Sequence, residues 1–134
     1  MNDSADAVLP DLARSLNNLS GRLADLGDRE GALSAIEEAV GLRRRLAASR
    51  PEAFEPDLAK SLGLQSTILL DLERPGEAVQ AVEEGLNRLW PYFSRFPEAL
   101  RDLARQELRV YDNAVLAAGR DQDQALVQPY LKRL

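Results

Sequence analysis

The chain has 134 residues, 17 basic and 22 acidic, a formal charge of −5 and neither His nor Cys; this excludes a Ser-His-Asp triad, a thiolate nucleophile, a disulfide framework and the usual zinc sites. The acid excess, with a pI near 4.8, argues against a phosphate-backbone binder, so no nucleic-acid partner is expected. Apolar runs such as Thr67 to Leu70 and Ala114 to Ala118 fall far short of a bilayer span, and Met1 to Asp6 lacks the pattern of a secretory signal, which together read as a cytoplasmic chain without membrane contact.

The order of elements follows from a repeat. Pro10-Asp11-Leu12-Ala13-Arg14-Ser15-Leu16 returns as Pro56-Asp57-Leu58-Ala59-Lys60-Ser61-Leu62, a period of 46. Residues 10–55 and 56–101 share 17 identities in 46 positions, where a composition rich in Leu and Ala gives about four by chance. A degenerate third copy begins at Leu103-Ala104-Arg105 and reaches Gly119, which stands 92 residues after Gly27. One domain, 1–134, therefore divides into units near 10–55, 56–101 and 102–134. Its opening residues match an inter-repeat linker, whether the gene starts there or the chain belongs to a longer array.

Each unit reads as two helices. Leu12, Leu16, Leu19, Leu23 and Leu26 recur at spacings of three and four, which lines one face of a helix A1 from Pro10 to Leu26. Gly27 supplies a left-handed exit, Asp28 a cap and Glu30 a carboxylate near the positive end of the next helix. Helix B1 carries Ala32, Leu33, Ile36, Ala39, Val40, Leu42 and Leu46, and Pro51 stops it. Helix A2 is expected to start at Pro56, with Leu62, Leu64, Ile68, Leu69, Leu70 and Leu72 making it the central, most buried helix. Asn18, Arg22 and Ala24 of A1 stand where A2 has Leu64, Ile68 and Leu70, which suits an end repeat facing water. Pro75 opens B2. A lone hairpin leaves apolar surface uncovered, so the hairpins must stack, giving about six helices in an all-α fold.

These residues resemble the tetratricopeptide repeat family. Leu16, Leu19, Ser20 and Leu23, then Gly27, then Ala32, Ile36 and Ala39, stand at its pattern positions. So do Leu62, Gln65, Ser66 and Leu69 with Ala78, Val82 and Gly85, and, for the first half of a third unit, Leu108, Tyr111, Asp112, Val115 and Gly119. Leu replaces the usual Trp and most Tyr, and the long period resembles that of kinesin light chains and bacterial signalling arrays. The resemblance implies a short right-handed solenoid whose A helices line a concave groove for a peptide or partner segment. By position that groove would show Arg14, Asn17, Gly21 and Asp25, then Lys60, Gly63, Thr67 and Asp71, then Arg105, Arg109 and Asn113. Asn17, Gly21 and Leu64 depart from the chaperone-tail clamp of some members, so chaperone tails are not the expected ligand.

Other clusters have weaker chemistry. Trp90, Tyr92, Phe93 and Phe96 surround Pro91 and suit either an interface with a partner or a second copy, or a seal over a helix broken at Pro91. Glu37-Glu38 and Glu83-Glu84 recur at one helical phase and point about 100° apart, which does not suit acid-base catalysis. Asp121-Gln122-Asp123-Gln124 lacks the Gly and distal Glu of a calcium loop and suits a helix cap. Arg43-Arg44-Arg45 reads as a solvated face near a helix C-terminus, or a contact for an acidic partner. No catalytic residue, metal or cofactor is expected. The sequence thus reads as a non-catalytic protein-interaction module, with a self-associating structural spacer, or a regulatory fragment of a larger signalling protein, as alternatives.

Overall fold

A computed structural model describes residues 3–134, with side chains from Ala7 onward. Among these residues there are six helices and no strand: α1 (Asp3–Asp25), α2 (Arg29–Ser49), α3 (Pro51–Asp71), α4 (Pro75–Arg95), α5 (Pro97–Ala117) and α6 (Gln124–Leu131). From α1 to α5 each helix packs on the next in sequence, α3 also meets α1 and α5, and α6 lies on α4. This is a short all-helical repeat stack. No described helix is long and apolar enough to cross a membrane.

Two kinds of joint alternate along the chain. Within a unit, the turn passes through a left-handed residue, Gly27 (φ 85°), Glu73 (φ 59°) and Gly119 (φ 67°), spaced by the period of the sequence. Around each the same bond closes the helix: the amides of Asp28, Arg74 and Arg120 donate to the carbonyls of Leu23, Leu69 and Val115, all at 2.9 Å. Between units the joint is a single residue, Arg50 or Phe96. Each precedes a proline, whose ring drives it out of the helical region (φ −139° and −131°), and Pro51 and Pro97 then open α3 and α5 where a missing N–H costs nothing.

The expected helix starts need correction. A1 begins at Asp3, not Pro10, and A2 at Pro51, not Pro56; Pro10, Pro56 and Pro91 all lie inside helices. A proline removes one backbone bond from a helix, but it ends the helix only where the residue before it leaves the helical conformation, as Arg50 and Phe96 do. The Pro91 break is therefore absent, and α4 continues to Arg95.

Where the helices of a unit cross, small residues let the backbones meet. Ala32 and Ala78 are fully buried, and one hydrogen bond recurs at both crossings: Ser20 Oγ donates to the Ala32 carbonyl at 2.6 Å and Ser66 Oγ to the Ala78 carbonyl at 2.7 Å. Leu58, Leu62, Ile68 and Leu69 of α3 fill the middle of the core together with Ile36 and Val40 of α2 and Val79, Val82 and Leu86 of α4. So α3 is central, as expected, but burial is shared among three helices. The third unit closes the stack with a short α6, capped by Asp123, whose carboxylate accepts from the Ala125 amide at 3.0 Å. The Tyr130 hydroxyl donates to the Leu86 carbonyl at 2.6 Å and ties α6 to α4.

The left-handed turns make opposite demands at equivalent positions. Gly27→Ala should lower stability by about 1 kcal/mol, and Glu73→Gly should raise it by up to about 1 kcal/mol, the gain being offset in part by a freer unfolded chain. Urea denaturation of both variants checks this; a Glu73→Gly protein weaker than the parent would show that the left-handed residue is not what strains the second turn.

Candidate functional site

A cleft of about 550 Å³ opens where the odd-numbered helices run side by side. It is lined by Asn17, Asn18, Gly21, Arg22 and Asp25 of α1, Lys60 and Leu64 of α3 and Gln106 of α5. The polar residues that distinguish A1 from A2, Asn18 and Arg22, therefore face this cleft. One lining residue is held from beneath. Asn17 Oδ1 accepts from Ser61 Oγ at 2.8 Å and from Arg43 Nη1 at 3.4 Å, and the Asn17 amide NH2 has no partner among the described residues and can donate to a ligand. Gly21 has nothing among the described residues within 4 Å of the place a Cβ would occupy, so its missing side chain serves no contact with them.

Of the groove positions expected from sequence, the cleft gathers Asn17, Gly21, Asp25 and Lys60. Arg14, Thr67, Asp71, Arg105, Arg109 and Asn113 are exposed but outside this lining. Arg14 pairs with Asp11 at 2.5 Å, and Thr67 Oγ1 donates to its own helix at the Gly63 carbonyl, 3.2 Å away. Gly63 is buried beneath Glu107. Asn18, Arg22, Leu64 and Gln106 are lining residues that the sequence reading misses; for Asn18 and Arg22 the available signal is the change from apolar to polar between A2 and A1.

The arginine run is not one solvated face, because consecutive helical residues diverge by about 100°. Arg43 is buried, and its Nη1 also donates to Ser61 Oγ at 2.7 Å and to the Asp57 carbonyl at 3.1 Å, joining α2 to α3. Burial lowers its pKa, the Asp57 charge opposes this, and Arg14 adds to the lowering. Arg44 crosses to α4, where its Nη2 donates to Glu84 Oε1 at 2.8 Å. Glu84 also accepts from Arg88 Nε at 2.7 Å, and Arg88 Nη1 reaches Glu55 Oε1 at 2.9 Å, so four side chains bind α2, α3 and α4 in one network. The Arg44 hydrogen bond, above all, holds the Glu84 carboxyl below the ordinary range. Arg45 has a third surrounding, at the outer face of the first unit.

A second buried ionisable group sits in the other joint. Glu107 of α5 is 1% exposed, and its Oε2 has no hydrogen-bond partner among the described residues. A Cβ on Gly63 would lie 2.5 Å from that oxygen and one on Gly85 3.5 Å from it, so the two glycines make its space. Burial pushes the Glu107 carboxyl up to about 9. No group of His, Cys, Asp or Glu among the described residues is arranged to hold a metal ion.

The aromatic cluster divides in two. Phe93 is buried, stacked on Tyr130 with centroids 5.1 Å apart, and Trp90 meets the Tyr130 edge at 5.2 Å, so these rings seat α6 on α4. Tyr92 and Phe96 stay at the surface of the second joint, around a hollow of about 360 Å³ shared with Glu52, Pro56 and Arg95. No family model, curated protein or solved structure matches this chain.

Two substitutions test the buried polar groups. Arg43→Ala should cost about 3 kcal/mol, since it strips hydrogen bonds from Ser61, Asn17 and the Asp57 carbonyl; a loss below about 1 kcal/mol in urea would show that the joint does not depend on it. For Glu107 the folded-state pKa lies above the unfolded one, so the stability of its protonated form is present below about 4.5 and lost as pH rises through about 9. Glu107→Gln should therefore match the parent near the acid end of that window and exceed it at the alkaline end. Equal urea midpoints across the window would refute the burial of a neutral carboxyl.

Proposed function

We propose that the chain is a non-catalytic interaction module of the tetratricopeptide kind, acting in the cytoplasm, and that it holds an extended segment of a partner protein in the cleft between α1, α3 and α5. The observation that carries this reading is the Asn17 amide, which lines the cleft and whose oxygen is fixed by Ser61 and Arg43, while its NH2 has no hydrogen-bond partner among the described residues. A donor set in place by the scaffold loses little freedom on binding. Asn18 and Gln106 add amide groups suited to a peptide backbone, which they can bond whatever its sequence. Gly21 permits close approach of that backbone to α1.

Charge in the cleft gives the ligand a sign. Arg22 and Lys60 stand against the single carboxylate of Asp25, so an extended segment with an acidic side chain is favoured over a basic one. This would allow an acidic protein to bind an acidic segment locally, against its net charge of −5. Two further cations named from sequence, Arg105 and Arg109, lie exposed on α5 and would steer such a segment toward the cleft.

The test is selection of random peptides displayed on phage against the whole chain, followed by fluorescence anisotropy on the winners. Acidic, extended peptides should emerge, and Lys60→Ala or Asn17→Ala should weaken them about tenfold, or 1.4 kcal/mol. Gly21→Gln should abolish binding while leaving the helical circular dichroism unchanged. Peptides that bind all three variants as well as the parent would place the ligand elsewhere and sink the cleft reading.

A further inference from the structure

The stack has unlike ends. Its last long helix, α5, turns Asp102, Arg105, Arg109 and Asp112 to solvent. At the other end the outer face of α1 and α2 is apolar: Leu12, Leu16 and Leu42 line a hollow of about 360 Å³ with Glu38, Gly41 and Arg45. Val8 and Leu19 extend this strip along α1, 58% and 46% exposed. Its leucines occupy positions that the rest of the chain covers. One period on, Leu58 and Leu62 stand where Leu12 and Leu16 do, and they are 0% and 1% exposed. The expectation of a polar first repeat thus holds for the cleft and fails for the end of the stack.

Charge and symmetry identify what covers this face. Glu38, Gly41, Leu42 and Arg45 lie at one-turn spacings on α2, arranged symmetrically about the point between Gly41 and Leu42. Glu38 and Arg45 have no ion-pair or hydrogen-bond partner among the described residues. When a second α2 crosses this one antiparallel at that point, each Glu38 meets the Arg45 of the other copy, and each Gly41 meets a Leu42. Gly41 then has a purpose. Nothing among the described residues lies within 4 Å of where its Cβ would be, yet glycine weakens a helix interior, and a close helix crossing is a reason to keep it. Glu84, one period after Glu38, already takes an arginine from the neighbouring unit, Arg44, with Nη2 to Oε1 at 2.8 Å.

We propose that this face joins two copies of the chain in a two-fold dimer, α2 packed antiparallel on α2 with the α1 leucines at its flanks. Two helices roughly 32 Å long and about 10 Å apart offer on the order of 600 Å² per copy, the lower end of specific interfaces, so the dimer is reversible. The hollow at this face and the α1/α3/α5 cleft share no lining residue, and the proposal does not depend on a ligand in the cleft.

Sedimentation equilibrium of the whole chain over about 1 to 500 µM tests it. The mass should rise from 14.8 kDa toward twice that value. Glu38→Arg and Arg45→Glu should each raise the dissociation constant at least tenfold, by setting like charges face to face twice, and the double variant should restore it to within about threefold of the parent. Gly41→Gln should abolish the dimer and yet raise the melting temperature of the dilute monomer. A parent that stays at 14.8 kDa throughout overturns the proposal and leaves the face to another occupant, such as a preceding repeat. A double variant no tighter than the single ones overturns it too, because the antiparallel pairing would then be wrong. Both charge positions are exposed, so that cycle decides the matter even if Gly41→Gln fails to fold.

Discussion

The single residue between successive units is the constraint on which the stack depends. Arg50 and Phe96 are each held extended by the proline that follows, and no further residue is available to adjust the path of the chain. The helix before and the helix after must therefore meet at a fixed phase. That phase decides which side of α3 faces α2 and which side of α5 faces α4, and so where every inward residue lands. The looser joint lies within the units, where a left-handed residue and two carbonyl bonds set the turn, and where serine bonds across the crossing helices supply the precision.

With the backbone fixed in this way, the polar residues of the interior become specific to their joint. Position 61 holds a serine that accepts a hydrogen bond from a buried guanidinium, and its equivalent one period later, position 107, holds a carboxyl with no partner for one oxygen among the described residues. The guanidinium costs desolvation, which the Asp57 carbonyl, Ser61 and Asn17 offset by hydrogen bonding. The carboxyl meets its own desolvation by keeping its proton. Only the first of these solutions reaches a surface, because Asn17 belongs both to the Arg43 network and to the cleft. A buried ion thus positions a group offered to solvent.

The sequence revealed the repeat and the order of helices because duplication leaves identities at a fixed spacing, which no tertiary contact is needed to see. Gly27, Asp28, Ala32 and Ala78 could be read for the same reason: each does its work within a few residues or at a crossing that recurs. The helix starts could not be read, since Pro51 and Pro56 look alike locally and only the extended Arg50 tells them apart. Arg43 was read as solvated because its partners lie 14 to 26 residues away on two other helices. On α1 the expected groove positions Asn17, Gly21 and Asp25 do line the cleft, and the neighbouring Asn18 and Arg22 escape the sequence for a related reason. A family pattern gives the helix but not its rotation, and Asn18 and Arg22 needed the packed neighbours to show where they face.

The equivalence of the two inter-unit joints carries a consequence for the history of such a chain. Residues 51–96 begin and end at the same joint, so excising them would fuse Arg50 to Pro97 with the backbone geometry of either joint unchanged. The shortened chain would set α2 directly on α5. In that register position 107 replaces position 61, and the guanidinium of Arg43 would come to lie against the carboxyl of Glu107. The middle unit thus keeps a buried guanidinium and a buried, proton-holding carboxyl apart, and its loss would let that carboxyl ionise beside the guanidinium, changing the charge state of the core as well as the length of the stack.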